Sequence, residues 1–230
     1  MKNIAIIPAR GGSKGVPRKN VRELCGKPLI CHSIQHAADS EYIDDIYVST
    51  DDDDIAEIAI QAGAKIIKRP SSLSLDESTS ESALLHALQT LDDNIALVVF
   101  LQCTSPIRAD NDIDNAILKL VESNADSLLS VVPSHKFLWQ QGIDSAFSIN
   151  YDFNSRPRRQ DMQPQFQENG SIYVFKPWVL RNFNNRLGGN IALYEMSEDS
   201  AIDIDSEFDF HLAASVLENK EQFKGTGVKS

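Results

Sequence analysis

The densest chemistry in the chain lies near its start, in the run Ile7-Pro8-Ala9-Arg10-Gly11-Gly12-Ser13-Lys14-Gly15-Val16-Pro17-Arg18-Lys19-Asn20. An apolar strand that runs into paired glycines lets backbone N–H groups approach phosphate oxygens, and Arg10, Lys14, Arg18 and Lys19 bring four cations to the same place. Four cations beside Gly-Gly are hard to explain as a solubilising surface turn. The spacing is not that of a Walker loop, because no Gly-Lys-Ser/Thr ending follows at the required distance, and the GxGxxG dinucleotide pattern is absent.

A second constellation is Ala201-Ile202-Asp203-Ile204-Asp205. Alternation along an extended segment places the carboxylates of Asp203 and Asp205 on one side, a hard-oxygen pair suited to Mg²⁺ and substrate phosphates. The acidic run Asp51 to Asp54 reads instead as the capped start of a helix. Leu101-Gln102-Cys103-Thr104-Ser105-Pro106-Ile107-Arg108 is a buried strand opening into polar side chains, with a proline that stops the pairing. Arg159 could pair bidentately with a carboxylate, while Asn169 and Tyr173 could meet hydroxyls. His135 and His211 have no metal partner or base role in the pattern, and Cys103 has no histidine to make it a nucleophile.

The elements that must hold these residues alternate short apolar runs with amphipathic stretches, the sign of a parallel sheet covered by helices. Strands are expected at Asn3–Pro8, Ile46–Ser49, Ala64–Ile67, Leu97–Leu101, Ser127–Val132, Ser171–Phe175 and Ile191–Tyr194. Helices are expected at Leu29–Ala38, Asp52–Ala62, Ser78–Leu91, Asp110–Glu122, near Trp178 and from Glu207 to about Leu217, with a frayed tail from Glu221. Ligand loops then lie at the carboxyl ends of the strands. Between about 133 and 167 the alternation breaks down into a polar, aromatic and Arg-rich stretch, read as an arm or lid that contacts a second copy. Its aromatics Phe137, Trp139, Phe153 and Phe166 could line a ligand pocket or form dimer or local core, of which the second is favoured.

With 230 residues, 42% of them hydrophobic and 24% charged, the whole chain is read as a single domain, 1–230, with the arm as an excursion from it. A net charge of −11 argues against a nucleic-acid or anionic-membrane surface, so any phosphate site must be local. The apolar start meets Arg10 and Gly11 too soon for a signal-peptide core, and no apolar run reaches membrane length. Three cysteines, without metal-ligand spacing, suit a reducing compartment, so the expected location is cytoplasmic.

Taken together, these blocks resemble the acylneuraminate cytidylyltransferases, the CMP-sialic acid synthetases. The resemblance runs from about residue 3 to 217: Pro8 to Gly15, Lys19-Asn20, Val48-Ser49-Thr50-Asp51, the Ser80 region, Gln102 with Thr104 to Arg108, Arg159-Gln160 with Asn169 to Tyr173, and Asp203-Ile204-Asp205. It implies a Rossmann-like α/β nucleotidyltransferase fold whose mainly parallel sheet is flanked by helices, with a small dimerisation excursion and a homodimer as the working form. It implies CTP and an acidic nine-carbon sugar as substrates and Mg²⁺ as cofactor. Carried over residue by residue, Arg10, Asn20 and Ser80, with Ala9 and Gly11 beside them, are nucleotide contacts. Lys14 and Lys19 are phosphate contacts, so that Arg10, Lys14, Lys19, Asp203 and Asp205 form the catalytic set. Gln102, Arg159, Asn169 and Tyr173 are sugar contacts, Asp203 and Asp205 the metal pair, and Arg108 a brace at the strand end. The region from Arg159 to Tyr173 favours a nine-carbon sugar over the eight-carbon Kdo but does not choose among sialic, legionaminic and pseudaminic acids. A nucleotide-binding protein on the same scaffold is the alternative of a different class.

Overall fold

In a computed structural model, residues 1–12, 15–91 and 94–226 are described. Strand β1 (Lys2–Pro8) leads through a 3-10 turn at Lys19–Val21 into a small ribbon, β2 (Glu23–Leu24) and β3 (Lys27–Pro28). Helix α1 (Leu29–Ala38), β4 (Asp45–Thr50), α2 (Asp53–Gln61), β5 (Lys65–Lys68), α3 (Ser80–Thr90), β6 (Ile95–Leu101), α4 (Asp112–Glu122) and β7 (Ser127–Pro133) then alternate. A second ribbon, β8 (Trp139–Gln141) and β9 (Ala146–Ser148), precedes β10 (Phe166–Phe175), α5 (Pro177–Phe183), β11 (Ile191–Glu195) and α6 (Glu207–Thr226).

Seven strands form one sheet in the order β11-β7-β10-β6-β1-β4-β5, α/β and Rossmann-like, with every neighbour parallel except β10, which is antiparallel to both β6 and β7. The central strands read as continuous apolar runs because both sheet faces are covered. Period-two alternation divides them: Ala5, Ile7, Val99 and Leu101 face one core with Ile30 and Ile34 of α1, Ile55 of α2 and Ile117 of α4. Ile4, Ile6, Val98 and Phe100 face the other, with Leu84 and Leu88 of α3 and Leu180 of α5. From β1 the chain builds outward through β4 and β5, then crosses back to β6 on the far side of β1. That reversal opens a crevice beyond the carboxyl ends of β1 and β6.

Three expectations change. Strand β10 begins at Phe166, five residues before the expected Ser171, because Phe166, Gln167 and Glu168 pair with Pro133, Val132 and Val131. The register then shifts between Glu168 and Tyr173, and Gly170 takes a φ of +69° at that bulge, a conformation that suits glycine. The arm contains the β8–β9 ribbon and 3-10 turns at Phe153–Ser155 and Arg159–Asp161, elements too short to leave a periodic signature. Helix α6 continues past the expected Leu217 to Thr226, and residues 227–230 of the expected frayed tail lie outside the described residues. No helix among the described residues is long and apolar enough to cross a membrane.

His36 on α1 has a buried Nδ1 without a hydrogen-bond partner. Burial first, then the nearby positive charge of Arg108, pushes its pKa down from 6.5 to about 3. A base whose folded pKa is depressed stays neutral in the native state while the unfolded chain takes up a proton, so its contribution is full above 6.5 and lost as the pH falls below it. Stability measured by urea unfolding is therefore expected to decline below pH 6.5, and a His36→Gln variant should show a shallower decline. Equal slopes in the two proteins would remove His36 as the cause.

Candidate active site

The crevice holds a cleft of about 240 Å³ whose polar lining includes Arg10, Lys19, Asn20, Arg69, Ser80 and Gln102. Each comes from a segment that leaves the carboxyl end of β1, β5 or β6, or from the start of α3. The Arg10 guanidinium bonds to Leu75 O at 2.9 Å and pairs with Asp76 at 3.2 Å, which ties the β1 loop to the segment before α3. Asn20 is buried and donates its amide to Arg10 O at 2.9 Å, so it shapes the same loop from within. Ser80 opens α3, and the preceding Thr79 caps it by accepting the Ser82 N–H at 3.2 Å. Uncompensated N–H groups and the helix dipole favour an anion at such an end.

Not every predicted cation or amide turns toward the cleft. Arg18 pairs with Asp52, just before α2, and with Asp54 in its first turn. The Gly11 N–H is donated to Asp51 Oδ1 at 3.2 Å, and that of Ala9 continues the sheet to Ser49 O at 2.9 Å. Asp52 caps α2, accepting from Ile55 N–H at 2.9 Å, as the acidic run predicts. Lys14 lies outside the described residues.

A buried ammonium joins the loops. Lys19 is only 8% exposed, and its Nζ donates to the carbonyl of Ile204 and stands 3.3 Å from Asp205 Oδ1. The Ile204 N–H in turn donates to Thr104 O at 2.8 Å, and the Ile204 side chain is buried with Val16, Leu29, Ile107 and Phe210. Burial of Ile204 leaves Asp203 and Asp205 on either side of it, both exposed, so the alternation predicted for a strand holds in a segment that is not one. A side chain at Gly15 would bring Cβ to 1.9 Å from Asp205 O, so the glycine loop can lie on this segment only because position 15 has none. Two exposed carboxylates suit Mg²⁺, which commonly takes one or two protein carboxylates and completes its shell with water and phosphate. Among the described residues no group of three or more His, Cys, Asp or Glu side chains could hold a metal alone.

The remaining predicted residues divide by location. Gln102 lines the cleft, and its carbonyl is held by Arg108 at 3.0 Å. Arg108 is itself buried, bonds Ser171 O at 2.9 Å and Ser33 Oγ at 3.1 Å, and has its pKa pushed down to about 10 by that burial. It therefore braces the end of β6 against the bulge of β10. Asn169 lies in that bulge with its amide already engaged, accepting from Ser130 at 2.6 Å and donating to Ser200 at 2.9 Å. The Tyr173 ring is buried, stacked on the cleft-lining Phe100 at 5.3 Å, and its hydroxyl donates to Glu168. Arg159 sits exposed in the arm and is not among the residues lining the cleft of its own chain.

Arg69 is the functional candidate missed in the sequence. It is 7% exposed, its Nε and Nη2 have no hydrogen-bond partner, and Asp51 approaches only to 3.9 Å. Burial lowers its pKa, partly offset by Asp51. A buried cation with unused donors in a polar cleft is suited to a ligand oxygen. Its signal was an Arg-Pro pair immediately after β5, at the ligand-binding edge of the sheet.

With this geometry in place, the comparison with known proteins is specific. Residues 4–224 match the cytidylyltransferase family. The chain belongs to that family. Among named cytidylyltransferases, it is 35% identical over 91% of its length to 49% of the N-acylneuraminate cytidylyltransferase of Oncorhynchus mykiss. It is 36% identical over 91% of its length to 50% of the B form from Danio rerio, and 35% identical over 91% to 52% of the Streptococcus agalactiae serotype III protein. The chain thus spans about half the length of these curated relatives. Its fold is similar to that of CMP:2-keto-3-deoxy-manno-octonic acid synthetase complexed with CTP, with a TM-score of 0.74, 18% identity and coverage of 96% of this chain and 100% of that one. It is also similar to 4-diphosphocytidyl-2C-methyl-D-erythritol synthase from Anaerococcus prevotii, with a TM-score of 0.67, 15% identity and coverage of 94% and 96%.

The two neighbouring glycines give a stability test. Gly15→Ala is expected to lower unfolding stability by about 2 kcal/mol, because backbone must shift to clear Asp205. Gly12→Ala, where a Cβ meets nothing within 4 Å, should change it by less than about 0.5 kcal/mol. Urea unfolding of both variants measures the difference, and equal losses would contradict the packing of the loop on the 203–205 segment.

Proposed function

We propose that this cytidylyltransferase transfers CMP from CTP to the anomeric hydroxyl of a nine-carbon, sialic-acid-type keto-acid sugar and releases pyrophosphate. The observation that carries the reading is one cleft at the carboxyl edge of the sheet where cations and a capped helix start converge, with Asp205 3.3 Å from the cleft-lining Lys19. The names of the relatives support the acceptor sugar, and the CTP in the first structural neighbour supports the donor.

In this reading Arg10, Asn20, Ser80 and Arg69 hold the nucleotide, with Ala9 and Gly11 shaping the loop beside it, and Gln102 meets the sugar. The anomeric oxygen attacks the α-phosphorus in line, its bond forms as the bond to the bridging oxygen of pyrophosphate breaks, and the hydroxyl proton is lost to solvent. Arg10, Lys14 and Lys19 stabilise the charge that moves onto pyrophosphate. Asp203 and Asp205 hold Mg²⁺, which when bound neutralises phosphate charge and acidifies the hydroxyl. Positioning and electrostatics supply the catalysis without a covalent enzyme intermediate.

The whole chain works as one domain, with the 133–167 excursion as its arm. Trp139, Phe147 and Phe153 are each about half exposed on that arm, which supports its pairing with a second copy in a homodimer. Asn169 and Tyr173 shape the sugar side from behind the cleft surface, and Arg159 reaches the sugar carboxylate from the arm. The buried, unbridged thiol of Cys103, its pKa pushed up to about 12 by burial, suits a reducing, cytoplasmic setting.

Pyrophosphate release is to be measured with each of the four nucleoside triphosphates, Mg²⁺ and a panel of N-acetylneuraminic, legionaminic and pseudaminic acids and Kdo. Release confined to CTP and a nine-carbon sugar is expected; none with any pair, despite CTP binding, would leave a nucleotide-binding protein. Asp205→Asn should keep its fold, since that side chain is 77% exposed, and lose about a hundredfold or more in kcat. Near-normal turnover would sink the metal assignment. Arg159→Ala should raise the sugar KM by about tenfold and leave the CTP KM nearly unchanged; the reverse pattern would move Arg159 to the nucleotide.

A further inference from the structure

We propose that Arg186 is a positioning residue that locks the sugar side of the cleft to its nucleotide side, an inference that rests on the CMP-transfer reading. Arg186 lies in the loop between α5 and β11. Its Nη1 pairs with Glu81 at 2.5 Å, its Nη2 lies 4.0 Å from Glu168, and its guanidinium carbon stands 4.3 Å from the Tyr173 ring centroid and 5.4 Å from that of Phe100. Glu81 follows Ser80 in the first turn of α3, whereas Glu168 accepts the Tyr173 hydroxyl on β10. One planar cation thus touches the helix start on one wall and the aromatic backing of the other.

The ion pair with Glu81 is about four-fifths buried on both sides, with side-chain exposures of 20% and 19%, so solvent screens it less than the rim pairs of this protein. Two carboxylates share this single guanidinium. Without it, Glu81 and Glu168 remain as uncompensated negative charge beside a cleft that takes two anionic substrates. A lysine restores the charge but neither the forked donor geometry nor the flat stacking surface.

Arg186 is not needed to hold its own loop. Gly188 exchanges hydrogen bonds with Ser127 Oγ at 3.0 and 2.8 Å, and Asn190 N–H donates to Asp126 at 3.0 Å. The start of α3 has independent support as well, from its Thr79 cap and the attachment of Arg10 to Leu75 and Asp76. Tyr173 and Glu168 keep their backbone places in the β10 ladder without Arg186, but the Glu168 carboxylate that holds the Tyr173 hydroxyl loses the cation paired with it, so the loss falls on side-chain orientation at the sugar side.

The test is steady-state kinetics of Arg186→Gln, Arg186→Lys, Glu81→Gln and the double variant Arg186→Gln/Glu81→Gln, with thermal unfolding of each. Arg186→Gln is expected to raise the sugar KM at least about tenfold, equivalent to about 1.4 kcal/mol, with the CTP KM changed by less than about threefold. Arg186→Lys should recover part of the loss, and adding Glu81→Gln to Arg186→Gln should recover part by removing the stranded charge. An unchanged sugar KM, equal rises in both KM values, or strictly additive effects in the double variant would overturn the inference while leaving the reaction standing. No pyrophosphate release by the wild-type protein with any acidic sugar would overturn the reaction itself and this inference with it.

Discussion

The site depends on one buried contact, the ammonium of Lys19 on the carbonyl of Ile204. A lysine this enclosed must find acceptors, and the ones it finds belong to a segment 185 residues away in the chain. Through the N–H of the same residue, Ile204 holds the end of β6, and through its side chain it enters a small core with Val16 and Phe210. Three loops that leave different strands are thereby fixed to one another before any ligand arrives. Polar capture and apolar burial act on the same residue, so the outward direction of Asp203 and Asp205 follows from the inward direction of Ile204.

A second constraint comes from the one strand that runs against the others. Because β10 enters the sheet at the ligand edge, its first residues, its bulge and the strand end at Gln102 meet in one place, where a parallel strand would have been leaving. Arg108 makes this junction rigid by spanning the carbonyls of Gln102 and Ser171. A buried cation that satisfies backbone carbonyls without a directly bonded carboxylate uses its fork as a template for three segments, since its other terminal nitrogen, Nη1, donates to Ser33 on α1. The geometry of the sheet edge is thus secured by groups set behind the cleft surface.

Most of the frame was legible because apolar periodicity is local. The strands and helices of the alternating part appear within one to two residues of their expected ends, and α1 at the expected bounds. The cationic loop and the strand end at Gln102 were legible as candidates because glycine pairing and a proline stop act over a few residues, whereas Ser80 became a candidate only through the family resemblance. What could not be read was partnership over distance. Nothing near Arg18 announces that it is taken by α2, and nothing near Arg69 announces that it is buried with unused donors, because both facts depend on which strands become neighbours. Asn169 was legible as a polar residue beside a glycine, but its engagement by Ser130 and Ser200 exists only once the bulge has formed.

The arm leaves and re-enters the sheet through a closed seam: Phe166 is paired with Pro133, and Ser134 N–H donates to Gln165 O at 2.8 Å. Whatever lies between those clasped ends is a detour whose length the sheet does not register, and lengthening such a detour costs only logarithmically in chain entropy. The sheet frame and its appendage can therefore diverge at different speeds, with the ribbon and aromatics remodelled while the residues around Lys19 and Ile204 stay where they are.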